Sequence, residues 1–405
     1  MSKLEYAGWE PTAFQFPLTR GSFDPSQTEV LAAMDAMLPP GVVLPSVSQV
    51  AAEEFRGITT DGHPVAGLQP RRDEKFDQQA SVEAARRFLD SLGAEVDQAQ
   101  RPLDAVEWRL WTNAFLSFPE HGLLLDEATV EQRELGLSVI AATLSSTGYA
   151  TTREAMRLNG MLGELIGTDR YPDSLTEFCY RLTIFGVPSS TEPWGWQLAG
   201  HHLDLHALIW GSQVVLTPAF VGAEVESQLI FEPHRSTARA FLGGLRAPQR
   251  AQAVIHDSML SADLPPSLAN IIDGRHRAGA ARDNLVLPYE GIAGNDLTAG
   301  QRELLLEMTA PYLASLPEGP RHVRHADIAA HLEDTWVTWI GGSGEDDPFY
   351  YRIHSPVILI EYDNHAGVFL SNPEPETFHV HTIVRTPNGG DYGKSLLREH
   401  YHRHH

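Results

Sequence analysis

A single cysteine, Cys179, stands among 405 residues. No internal disulfide can form, and neither thiolate zinc sites nor iron–sulfur clusters are open to the chain. The neighbours Phe178, Tyr180 and Leu182 read as a buried strand, which makes Cys179 an inert core thiol. Basic residues are also scarce: 30 Lys and Arg face 53 Asp and Glu, a net charge of −23 with histidine neutral. That balance argues against a nucleic-acid groove, which needs a basic stripe, and against binding to anionic membranes. No run approaches the roughly 18 apolar residues of a membrane span. The start, Met1-Ser2-Lys3-Leu4-Glu5-Tyr6, lacks the apolar core of a signal peptide. The expectation is therefore a cytoplasmic protein that acts on a small molecule, with no nucleic-acid or membrane partner. Two nucleotide-site signatures are missing as well. There is no dinucleotide fingerprint, and Gly341-Gly342-Ser343-Gly344-Glu345 lacks the lysine of a phosphate loop. A Gly-x-Ser-x-Gly nucleophile elbow is absent too.

What remains has ordinary globular composition, 42% apolar and 20% charged. Residues 1–24 read as an irregular arm, and residues 25–400 as one α+β domain. Its helical part covers about 25–175 and its sheet-containing part about 176–400. Gln27 to Met37 suits a short helix before Pro39-Pro40, and 78–170 carries helical periodicity. Thr129 with Gln132 makes a capping box ahead of Leu137, Ile140 and Leu144. Thr151 with Glu154 opens a further helix, with Gly148 and Gly167 as stops. Strand character runs through Phe178–Val187, Trp196–Ile209 and Val214–Thr217, with a turn at Gly211-Ser212. Helix returns over 236–256, and Thr298 with Gln301 caps another. Trp336–Ile340, Tyr350–Tyr362, Gly367–Leu370 and Phe378–Arg385 then suit an antiparallel meander. The sheet, antiparallel or mixed, is expected to be assembled from two distant segments and packed with the N-terminal helical region.

Histidine is the abundant reactive residue, with 19 copies. The crowd at His400, His402, His404 and His405 reads as a solvated tail. Inside the chain, Phe378-His379-Val380-His381-Thr382-Ile383-Val384-Arg385 is the sharpest signal. Strand alternation puts His379, His381, Ile383 and Arg385 on one face and Phe378, Val380, Thr382 and Val384 on the core face. Two imidazoles so placed can chelate one ion, and imidazole suits Zn, Fe or Cu. Val357–Asp363 is apolar until Glu361 and Asp363, and carboxylates that end a buried strand require a partner or a metal. Glu361 is thus a candidate ligand or general base. A third cluster, Gly200-His201-His202-Leu203-Asp204-Leu205-His206, offers further imidazoles, with Gly200 suited to close backbone approach or a bulge. The loop after the strand, Pro387 to Lys394, presents Asp391, Tyr392 and Lys394. Arg385 is a candidate clamp for a substrate carboxylate, and Glu224 is a weaker candidate carboxylate.

These motifs resemble those of the DUF3500 family. The resemblance is carried by Pro193-Trp194-Gly195-Trp196-Gln197-Leu198, Gly200-His201-His202-Leu203 and Gln213-Val214-Val215-Leu216-Thr217-Pro218. It is also carried by His379-Val380-His381-Thr382 running into Arg385-Thr386-Pro387-Asn388-Gly389-Gly390-Asp391-Tyr392-Gly393. Gly57-Ile58-Thr59-Thr60-Asp61-Gly62 and Glu107-Trp108-Arg109 extend it upstream, so that it spans about residues 55 to 401. It implies no particular reaction. Because the family pattern often carries Asn at the position of His206, it argues against His206 as a required ligand. The expected metal set is His201, His202, His379 and His381, with Glu361, Arg385 and Asp391 as catalytic candidates. The leading reading is a metal-dependent enzyme with hydrolytic or lyase chemistry. The same donors would serve an Fe or Cu oxidoreductase. The alternatives are a metal-free acid–base enzyme and a binding protein with structural histidines.

Overall fold

The computed structural model describes residues 50, 52–113, 121–166, 175–225, 228–265, 267–268, 274–367 and 374–404. The arm over 1–24, the helix over 27–37, the stop at Gly167 and residues 368–370 of the Gly367–Leu370 strand lie outside them. The first part contains α1 (Gln79–Leu92), β1 (Gln100–Arg101), β2 (Leu123–Leu124), α2 (Val130–Thr143) and α3 (Ser146–Ile166). Next come β3 (Tyr180–Phe185), β4 (Trp194–Gly200), β5 (Leu203–Trp210) and β6 (Gln213–Ala223). The middle holds α4 (Gln228–Gly244), α5 (Ala247–Ala253), β7 (Val254–His256), β8 (Ile292–Ala293), α6 (Ala299–Leu313) and α7 (Glu318–Ala330). The last part is β9 (Trp336–Gly341), β10 (Phe349–His354), β11 (Leu359–Asn364), β12 (Val380–Arg385) and α8 (Lys394–His404).

The strands form one sheet in the order β1-β3-β4-β5-β6-β12-β11-β10-β9-β7, with β2 added on β3 and β8 on β9. It is mixed, because β1 with β3 and β7 with β9 run parallel while the other pairs are antiparallel. The chain is thus α+β, and its two strand-rich segments join where β6 meets β12. At that seam His381 lies opposite Gly222, and Ile383 opposite Phe220.

The sheet has two unlike faces. Trp194, Trp196, Leu198, Leu205, Val380, Val384, Tyr351 and Tyr362 share one apolar core with residues of α1, α2, α3, α4 and α6. On this face the Trp196 indole N–H donates to Thr143 Oγ1 at 3.0 Å. Strand alternation sends Gln197, Asp204, His206, His381, Arg385, Arg352, Glu361 and Asp363 to the other side, and every one is buried. That side is covered by residues 274–290, by Trp108, Trp111 and Tyr392, and by Leu396 and Leu397 of α8. An apolar side chain gains about 1.5–3 kcal/mol from burial. A buried charge costs several kcal/mol unless paired, so the polar side depends on its partners rather than on its area.

Both capping boxes form: Thr129 with Gln132 starts α2, and Thr298 with Gln301 starts α6. Helix α3, however, begins at Ser146 rather than Thr151. Ser145 Oγ accepts from the Gly148 N–H at 2.9 Å and supplies the cap. Gly148 is therefore inside the first turn, where a Cβ would lie 2.6 Å from Ser315 Cα. The span Tyr350–Tyr362 divides into β10 and β11 around a turn in which Ser355 Oγ accepts from the N–H groups of Val357 and Ile358. Helix α7 escapes sequence reading because it buries only Pro320 and Ile328.

Candidate metal centre

Strand β4 ends at Gly200, and β5 starts after only two residues, His201 and His202. Crowding fixes the glycine: a Cβ would lie 2.6 Å from the Tyr180 ring and 2.7 Å from the Cys179 carbonyl oxygen. The bulge lies further on, between Leu205 and Ala207. His202 adopts a left-handed backbone (φ 62°), which costs a non-glycine residue on the order of 1–3 kcal/mol. Backbone bonds hold it there: His202 N–H donates to the Asn113 carbonyl (3.2 Å) and Gly222 N–H to the His202 carbonyl (2.7 Å).

This turn places His202 against the histidines of β12. Nε2 of His381 lies 3.1 Å from Nε2 of His379 and 3.1 Å from Nε2 of His202. One nitrogen from each of the three rings falls within 4.8 Å of the others. Tetrahedral ligation at metal–nitrogen distances of about 2.0–2.1 Å spaces the ligand nitrogens about 3.3 Å apart, so the three residues fit one ion. They fit one another poorly. A neutral imidazole carries one proton, so two facing Nε2 atoms share a single hydrogen bond and a third is left against a lone pair. Nδ1 of His381 likewise finds no hydrogen-bond partner. Burial, followed by the neighbouring imidazoles, holds all three well below the usual histidine range. They are therefore neutral, the form that binds metal.

His201 does not join this group. Its ring stacks on His202 with centroids 3.8 Å apart. Its Nδ1 pairs with Asn159 Oδ1 at 2.7 Å, and burial lowers it to about 3. His206 is also separate. Gln197 Nε2 lies 2.8 Å from His206 Nε2, and His206 Nδ1 donates to the Pro218 carbonyl at 2.9 Å. Gln197 Oε1 in turn meets His121 Nε2 at 2.7 Å. The chain of bonds fixes a neutral His206, which burial lowers to about 3.

The carboxylates of β11 point to the same side of the sheet, as their spacing predicts, but are held by other groups. Glu361 accepts from the backbone N–H groups of Arg277 (2.9 Å) and Ala278 (2.8 Å) and from the Tyr350 hydroxyl (2.6 Å). Asp363 takes a two-pronged contact from Arg275, with Nη2 at 3.0 Å, which holds its carboxyl well below the usual range despite burial. Arg385 donates to Asp391 (2.7 Å) and to Asp283 (2.6 Å). Asp391 also accepts from the Thr386 N–H at 2.7 Å. Tyr392 joins the same network: it receives the Trp111 indole N–H (2.8 Å) and donates to Asp283 (2.9 Å). Lys394, lowered to about 8 by burial, lies instead near Arg109 and Asp104. Glu224 is buried but outside the histidine group.

One residue beside the centre escapes sequence reading. The His365 ring stacks on His381 (4.6 Å between centroids) and meets His379 edge-on (5.0 Å). Its Nδ1 lies 3.3 Å from Asp363 Oδ2. Its only signal is a position two residues after Asp363, just past the end of β11. Gly274 closes this corner with a left-handed backbone (φ 58°); a Cβ would lie 2.3 Å from both Asp363 Oδ2 and His365 Nδ1. Arg275, which supplies the Asp363 contact, follows it directly.

The fold and site define an α+β protein with a buried three-histidine group able to hold a metal ion. Among the described residues no helix is long and apolar enough to cross a membrane. The chain belongs to the family described as Protein of unknown function (DUF3500), whose model matches residues 74–394 and so takes in every residue of the centre. No curated protein and no solved structure matches it.

Proposed function

We propose that His202, His379 and His381 hold one transition-metal ion through their Nε2 atoms, and that this ion is the centre of an enzyme acting on a small molecule. The observation that carries the reading is the convergence of three neutral imidazoles, drawn from two distant segments, with His381 Nε2 3.1 Å from the Nε2 atoms of both His379 and His202. Such an ion supplies Lewis-acid polarisation and an acidified bound water, which suits hydrolysis or an elimination step. The chain's own residues do the rest. His201 and Asn159 brace the His202 ring. Asp363, fixed by Arg275, accepts from Nδ1–H of His365 and leaves Nε2 as the basic nitrogen. His365 is thus the residue placed to move a proton beside the centre. Glu361 and Arg385 shape the surrounding loop through the contacts they already make.

Elemental analysis tests this on protein with His402, His404 and His405 replaced by Ser, so that the tail cannot bind metal. About one equivalent of ion is expected. It should be lost in His381→Ala and His202→Ala and kept in His206→Ala. Failure to take up one equivalent of Zn, Fe or Cu overturns the reading. The identity of the ion found separates hydrolytic from oxygen chemistry. His365→Ala should keep the metal and lose about 100-fold or more in turnover of any substrate found.

A further inference from the structure

On the apolar side of the sheet, across from the histidines, lies a cavity of about 180 Å³. The seam strands form its floor. Thr382 and Val384 of β12 and Val221 of β6 line it, while the residues between them, His381, Ile383 and Phe220, face the other side. Ile230 and Tyr312 line the rest. A cavity of roughly 150 Å³ admits a benzene-sized molecule, so this one is large enough for a small apolar body.

One end is not apolar. Arg324 of α7 reaches the cavity and is half-buried. Its Nη2 donates to the Val357 carbonyl (2.7 Å) and to Thr386 Oγ1 (2.9 Å). Nε and Nη1 make no hydrogen bond, and no carboxylate lies within 4 Å of the guanidinium among the described residues. Three carboxylates act on its charge from further away: Asp327, Asp391 and Glu74. Each is engaged elsewhere, Asp327 and Glu74 with Arg72 and Asp391 with Arg385. Gln69 lines the same end, and its Nε2 is buried without an acceptor. A largely apolar chamber therefore has one polar end, lined by the Arg72–Glu74 pair and by Arg324 and Gln69 donors that lack acceptors among the described residues. The Nε–H and Nη1 N–H groups that Arg324 leaves unengaged, on a cation with no carboxylate partner, suit an anionic oxygen such as a carboxylate.

We infer that this cavity binds a small monocarboxylate with an apolar body, its carboxylate on Arg324 and Gln69 and its body over Val221, Ile230 and Val384. The site is separate from the histidine centre, because the sheet stands between them.

Benzoate and hexanoate are the probes, and benzamide is the uncharged control. Binding is measured by calorimetry on the full chain with EDTA present, so that carboxylate ligation of a metal cannot give the signal. Saturable one-to-one binding of at least one acid is expected, with benzamide at least tenfold weaker than benzoate. Arg324→Gln should weaken the acid at least tenfold and leave benzamide unchanged. Ala219→Leu, which fills the chamber from β6 and leaves Arg324 intact, should abolish binding of both. The inference is overturned if neither acid binds, if benzamide matches benzoate, or if the acids still bind to Ala219→Leu.

Discussion

The two faces of the sheet are built from the same strands and are equally buried, yet they are stabilised by different physics. The helix-covered face is a continuous apolar cluster. Its energy is spread over many side chains, so no single contact decides the fold. The opposite face carries Arg275 with Asp363, Arg385 with Asp391 and Asp283, Glu361 with two backbone N–H groups, and the histidine centre. There, each group is tolerable only while its partner is present. An apolar face loses stability in proportion to the atoms removed, whereas a paired polar face fails in steps.

The largest effect should come from breaking one pair. Arg275→Met leaves Asp363 buried without its guanidinium, against only the His365 ring and the backbone N–H of residue 275, and should cost about 3–5 kcal/mol in denaturant unfolding. Adding Asp363→Leu should recover part of that loss, because the uncompensated charge is gone. If Leu198→Ala on the apolar face proves more harmful than Arg275→Met, the contrast between the faces fails. Acid should strike next. Burial lowers His121 and His234 to about 4 and His206 to about 3, from 6.5 in the unfolded chain. The unfolded state therefore binds more protons below 6.5, and stability falls as pH drops through the window from 6.5 to those folded values. By pH 5 the loss should be on the order of 1–2 kcal/mol for each of these histidines relative to pH 7, read as a falling unfolding temperature in metal-free protein. A flat profile from pH 7 to 5 would show that they are not buried neutral. Gly274→Ala comes third, at about 1–3 kcal/mol, and it should also lower turnover by displacing Asp363 and His365 while metal content is kept. Thr129→Ala, which removes the cap of α2 on the apolar side, should cost only about 1 kcal/mol and leave metal content unchanged.

The same contrast explains what could be read from the sequence. Alternation in Phe378–Arg385 separated the core face from the histidine face, and it put Glu361 and Asp363 beside them. Capping boxes located α2 and α6. Alternation could not show that the polar side is covered. Polar residues at every second position are the ordinary mark of a solvated face, and here the cover comes from irregular residues 274–290 and the C-terminal helix. The partners of Glu361, Asp363 and Arg385 sit in those coverings: Ala278, Arg275 and Asp283. Periodicity carries no information about irregular backbone, so the metal-ligand reading of Glu361 and the substrate-clamp reading of Arg385 were open in the sequence. His202 was legible as a candidate but not as distinct from His201. The choice between them rests on one left-handed residue in a two-residue turn.

The histidines on either side of the seam are 179 positions apart in the chain, from His202 to His381. A ribosome has made most of the protein before the second half of the histidine group exists. An ion held by all three rings would therefore be captured only by a finished molecule, clasping the first-made strands to the last.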